Sequence, residues 1–95
     1  MEALDRLFRL RQSLFEQEEA LGIHDYSDIE RSVLEFVSCQ DNTTISKILK
    51  QPYFSKFSLS TINRVVAKLL SDGAIKSEQS NSDRREMHLS FCLKN

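Results

Sequence analysis

Apolar residues recur at helical spacing along most of this chain, and only near its end does the period shorten towards two. Over residues 2–21, Leu4, Leu7, Phe8, Leu14, Phe15 and Leu21 fall on one broad face, with Leu10 at its margin. Leu7, Leu14 and Leu21 also repeat every seventh position, the spacing of a helix–helix seam. Glu2, Arg6, Arg9, Gln12, Glu16 and Glu19 fall mostly outside the stripe, and Gly22 supplies a C-terminal cap. A face this large on so short a chain is expected to be divided between the protein's own core and a second subunit.

Ser27-Asp28-Ile29-Glu30 has the form of a capping box and opens a second helix, with Ile29, Val33, Phe36 and Val37 as its inward face. That helix should end near Cys39, before the polar cluster Gln40-Asp41-Asn42. Thr43 or Thr44 then starts a short helix through Ile45, Ile48 and Leu49, which Pro52 stops. Residues 51–58 (QPYFSKFS) form a connector. Ser58 or Ser60 caps a further helix of about a dozen residues that closes at Asp72-Gly73. Its inward residues are Ile62, Val65, Val66, Leu69 and Leu70; Ser60, Thr61, Asn63, Arg64, Ala67 and Lys68 are left outside. Beyond Gly73, residues 74–78 and 87–91 read as two strands of a hairpin with polar residues 79–83 between them.

Helix, short helix, connector, polar-faced helix and hairpin in that order outline a winged helix-turn-helix: an α+β, mainly α fold with a long N-terminal helix and a C-terminal β-hairpin wing. The chain is read as one domain over 1–95, in which 1–22 serves dimerisation and core and 27–91 is the winged helix-turn-helix. In such a fold the exposed side chains of the second helix meet the edges of bases. Arg64 suits guanine and Asn63 adenine, Ser60 and Thr61 suit phosphates or bases, and Lys68 suits the backbone. Arg84-Arg85, just beyond the hairpin tip, can reach a minor groove or flanking phosphates.

Charge strengthens this picture. The net charge of −1 conceals ten acids against four basic residues in 1–42, a net of −6, and nine basic residues against four acids in 43–95, a net of +5. A basic half joined to an acidic half suggests a surface facing phosphates on one side. Other chemistry is thin. Cys39 and Cys92 lie in no metal or redox motif and are expected to be buried or half-buried free thiols in a reducing cytoplasm, with redox sensing at either as the rival. His24 reads as loop surface, His88 as an outward wing residue and Glu18-Glu19 as solvated, so no catalytic, cofactor or metal site is expected. No uncharged run approaches the roughly 20 apolar residues that cross a bilayer, and the N-terminus lacks the apolar region of a signal peptide.

The stretch from Thr61 to Phe91 resembles the winged helix-turn-helix of MarR-type (multiple-antibiotic-resistance regulator) transcription factors. STINRVVAKLLSDGAI, residues 60–75, is similar to their recognition helix, and SDRREMHLSF, residues 82–91, to their wing, with Asp83, Arg84, Arg85 and Leu89 matching position by position. The resemblance implies that one arginine of the pair probes the minor groove while Asp83 orients the wing. It extends more loosely back to Ser27. The connector is about two residues longer than is usual in that family. The sequence ends at Asn95, where family members continue into C-terminal helices, so a short form is expected in which the N-terminal helix alone dimerises and a small-molecule effector stays open. The expectation is a cytoplasmic, homodimeric regulator, a repressor by family habit, on double-stranded DNA. The alternatives are a protein-interaction module in a larger assembly, or DNA binding for replication or partition.

Overall fold

The structure, a computed structural model, describes residues 2–79 and 87–92. Their order is α1 (Glu2–Ala20), α2 (Asp28–Ser38), α3 (Ile45–Lys50), α4 (Leu59–Ser71), β1 (Ile75–Gln79) and β2 (Met87–Phe91). The starts of α2, α3 and α4 each have a local cause. Ser27 accepts from the Glu30 amide while the Glu30 carboxylate accepts from the Ser27 amide at 2.8 Å, completing the capping box of α2. Thr44, not Thr43, caps α3 by accepting from Lys47 N–H. Ser58, not Ser60, caps α4 by accepting from Thr61 N–H.

α2, α3 and α4 enclose a core that the hairpin closes. Val33, Leu34 and Val37 of α2 meet Ile48 of α3 and Ile62, Val65, Val66 and Leu69 of α4, with Ile75 and Leu89 from the strands. Each such large apolar side chain contributes roughly 1.5–3 kcal/mol on burial. Leu34 takes a central place on α2, whereas Ile29 and Phe36 are half-buried at its rim. Phe36 stays there because it packs edge-to-face on Phe54 of the connector, with ring centroids 5.9 Å apart.

β1 and β2 pair antiparallel, Ile75 opposite Phe91 and Gln79 opposite Met87. The ladder starts one residue later than the sequence suggests because the Ala74 amide closes the end of α4 on Leu69 O. On its other edge β2 takes a short bridge, with Leu89 and Thr43 exchanging both backbone hydrogen bonds. That bridge ties the α2–α3 loop to the wing. His88 is half-buried on β2.

Three expectations are corrected. α1 shares none of its apolar stripe with the core: Leu4, Leu7, Phe8, Leu14, Phe15 and Leu21 are 49–61% exposed. The cause lies at Gly22, where the chain turns sharply and sends Ile23 into the core, so the helix leaves the domain instead of lying along it. The chain accordingly extends 51 Å in one direction against 29 and 22 Å in the others. Glu18, expected to be solvated beside Glu19, is the buried residue of α1. Cys39 and Cys92, expected to be at least half-buried, are exposed, since one caps the end of α2 and the other follows the last strand.

Candidate nucleic-acid interface

α4 carries the candidate site because its two faces differ so sharply. Ile62, Val65, Val66 and Leu69 are buried, and the opposite face presents Ser60, Asn63, Arg64 and Lys68 to solvent, with Thr61 half-buried. No acid precedes Asp72, so the positive end of the helix dipole is uncompensated where the helix begins. The hydroxyls of Ser58, Ser60 and Thr61 cluster there, Ser58 Oγ lying 3.2 Å from Ser60 Oγ and 2.9 Å from Thr61 Oγ1. Hydroxyls and free amides at a helix start suit an anionic oxygen. Asn63 and Arg64 have no hydrogen-bond or ion-pair partner among the described residues. Their donors point at solvent, free for a base edge.

Lys68 differs from Arg64. Its ammonium donates to Glu30 of α2 at 3.3 Å from Oε1 and 3.2 Å from Oε2, and lies 5.3 Å from the centre of the Tyr26 ring. Tyr26 in turn donates its phenol to Asp72 at 3.0 Å. Burial, then that hydrogen bond, pushes the Tyr26 phenol above its ordinary value. This cluster braces α4 against the α1–α2 loop and α2. Sequence reasoning missed it because its members are far apart in the chain. Asp83, Arg84 and Arg85 of the expected wing contact lie outside the described residues.

A second polar cluster joins α1 to α2. Arg31 Nε contacts Glu18 Oε1 at 3.2 Å, Nη1 donates to His24 O and Tyr26 O at 3.0 and 2.6 Å, and Nη2 donates to Asp28. A sequence signal existed: Glu18 interrupts the apolar stripe four positions after Leu14 and three before Leu21. Of the six apolar residues expected at a subunit seam, Leu4, Leu7, Phe8, Leu14 and Phe15 lie on that same helix and Leu21 directly follows it. Among the described residues no group of His, Cys, Asp and Glu is arranged to hold a metal ion, and no helix is long and apolar enough to cross a membrane.

The sequence profile of the MarR family matches residues 27–87, more than half of the chain. The chain belongs to the MarR family. It is 28% identical over 87 residues to the HTH-type transcriptional regulator PetP of Rhodobacter capsulatus, a match covering 92% of this chain and 51% of PetP. The chain thus spans about half the length of that curated relative. Its fold is similar to that of a cysteine-to-serine mutant of MarR from E. coli complexed with operator DNA, at a TM-score of 0.63 and 20% identity over 94% of this chain and 63% of the other. It is likewise similar to Streptococcus pneumoniae FabT in complex with DNA, at a TM-score of 0.63 and 21% identity over 93% and 65% of the two chains. The fold of this MarR-family chain is therefore a winged helix, mostly helical with a two-stranded antiparallel hairpin.

Proposed function

We propose that this MarR-family chain binds double-stranded DNA sequence-specifically as a homodimer and regulates transcription from the cytoplasm, as a repressor. The observation that carries the reading is the outward face of α4, acid-free and exposed, with Asn63 and Arg64 left unpartnered among the described residues. Two of the solved structures with this fold were determined with DNA, and PetP is named a transcriptional regulator. α4 enters the major groove, Arg64 pairs bidentately with guanine, Asn63 reads adenine, and Ser60 and Thr61 hold phosphate oxygens at the helix start. Lys68 reaches the backbone only by leaving Glu30, so its share is smaller than that of Arg64. Arg84 and Arg85 add a wing contact to the flanking minor groove. No catalytic step enters this reading.

The dimer follows from α1. Leu4, Leu7, Phe8, Leu14, Phe15 and Leu21 form an apolar stripe that the chain itself leaves uncovered, and a second copy supplies a matching helix. Two recognition helices then fall on successive turns of a near-palindromic site.

A salt titration on specific and scrambled duplexes tests the reading. Wild type should lose affinity steeply with salt, and Arg64→Ala should cost about 1–3 kcal/mol on the specific site alone. Equal losses on both duplexes would place Arg64 on phosphates. Absence of salt-dependent binding would favour a protein-interaction module instead.

A further inference from the structure

Leu59 is the first residue of α4 and the one large apolar side chain that this helix leaves exposed, at 56%. Local structure gives no reason for an apolar residue there. Ser58 already supplies the cap. The two positions that commonly clasp a helix start, the residue before the cap and the fourth of the helix, are Phe57 and Ile62, and both pack in or against the core. Ile62, Val65, Val66 and Leu69 fill the inward face without Leu59. Glutamate or alanine would serve the exposed helix start at least as well in water.

We propose that Leu59 is a specificity-determining residue of the α4 interface: on DNA it packs against the 5-methyl group of a thymine, close to the adenine that Asn63 reads. The inference rests on the proposed function and adds an apolar contact to its polar ones. In helix-turn-helix proteins the N-terminal residues of the recognition helix are the ones that reach base edges. Thymine carries an apolar group in the major groove, its 5-methyl, and apolar side chains meet it there. Successive helix residues turn by about 100°, so Leu59 and Asn63 stand about 40° apart on one flank of α4, roughly 6 Å apart along its axis. Base pairs are spaced by about 3.4 Å, so that offset corresponds to about one or two of them. Lys68 lies on the other flank.

The charge around Leu59 selects the partner. Residues 43–71 include Lys47, Lys50, Lys56, Arg64 and Lys68 and no acid. Lys47, Lys50 and Lys56 are exposed and have no ion-pair partner among the described residues. Ser58 and Ser60, on either side of Leu59, turn their hydroxyls towards each other at 3.2 Å. A single leucine among cations and hydroxyls suits a polyanion with an apolar group on its groove floor better than the apolar surface of a protein.

Removing single methyl groups from DNA tests the contact. Wild type and Leu59→Ala are each used to select binding sites from random duplexes. The wild-type site is then remade with each thymine in turn replaced by deoxyuridine, which keeps the base pair and its hydrogen bonds and deletes the methyl alone. One thymine in each half-site should respond, its replacement weakening wild-type binding about fourfold, the worth of one buried methyl-sized group. Leu59→Ala should bind the thymine and deoxyuridine duplexes alike and should select that position less strictly. The ratio of the two affinities does not depend on how much of either protein is folded. A wild-type site in which no thymine responds, or a response that persists in Leu59→Ala, would overturn the proposal while leaving sequence-specific binding intact. Failure of wild type to select any duplex would overturn the proposed function, and this contact with it.

Discussion

α1 and α4 are both amphipathic helices, and both end in the same way. Gly22 at φ 76° and Gly73 at φ 77° each follow a helix, and the next residues, Ile23 and Ala74, donate back to Glu18 O and Leu69 O and are themselves buried. The stripes of the two helices then meet opposite fates. That of α4 is filled by α2, α3 and the hairpin, whereas that of α1 is left to solvent within one chain. Periodicity thus specifies a helix and an adhesive face but not the surface that covers it. Composition separates the two in hindsight: α4 buries β-branched Ile62, Val65 and Val66, while α1 carries leucines, branched at Cγ and not at Cβ, at heptad spacing, which suits a partner helix.

A cavity under α4 should cost far more than one under α1. Ile62→Ala, at a fully buried position, should cost about 2–5 kcal/mol in urea unfolding, whereas Leu7→Ala should stay within about 0.5 kcal/mol. The measurement belongs at protein concentrations where only monomer is present. At higher concentration Leu7→Ala, and more strongly Leu14→Asp, should shift sedimentation towards monomer. A Leu7→Ala monomer as unstable as Ile62→Ala would mean that α1 packs on its own domain after all.

The two glycines differ in the same sense by smaller amounts. A methyl group at either would meet open space, so the cost of Ala is the left-handed backbone alone, roughly 1–2 kcal/mol. Gly73→Ala should lower global stability by that amount, because Ala74 and the start of β1 depend on the turn. Gly22→Ala should instead appear as faster amide exchange along α1, with little change in the unfolding midpoint of the core. Equal midpoint shifts would show that α1 and the core unfold as one unit.

Most of the fold was legible because its causes are local. Capping at Ser27 and Ser58, the glycine turns and the change of period after Gly73 each lie within a few residues of what they determine. Contacts across the chain were not legible. Glu30 and Lys68 are 38 positions apart, Tyr26 and Asp72 are 46 apart, and Thr43 reaches Leu89. No spacing rule connects such residues. Hence Lys68 read as free, and Glu18 as solvated, until the folded chain placed Glu30 and Arg31 beside them. Asn63 and Arg64 read correctly as exposed because exposure on α4 follows from its own period, which their neighbours Ile62 and Val65 set.

The smallest effect concerns the flank of α4, which is partnered within the chain as its stripe is. Lys68 is half exposed and Glu30 is 15% exposed, so their ion pair contributes about 0.2–1 kcal/mol, and Lys68→Met, which keeps an aliphatic stem of similar length, should lose about that much at neutral pH. The Ser27 backbone N–H, first, and the Lys68 hydrogen bond and charge, after it, hold Glu30 below the usual carboxylate range. A depressed carboxylate contributes stability above its unfolded value and loses it as pH falls through its folded value. The difference between wild type and Lys68→Met should therefore be complete at neutral pH and vanish in acid, once Glu30 is protonated. DNA binding gives the second reading. Because the ammonium already serves Glu30, its removal should flatten the slope of log K against log salt by less than the one unit or so expected of a free phosphate-neutralising cation. A full unit of slope with unchanged stability would mean that Lys68 abandons Glu30 for phosphate, and that this flank of α4 is as unpartnered as the stripe of α1.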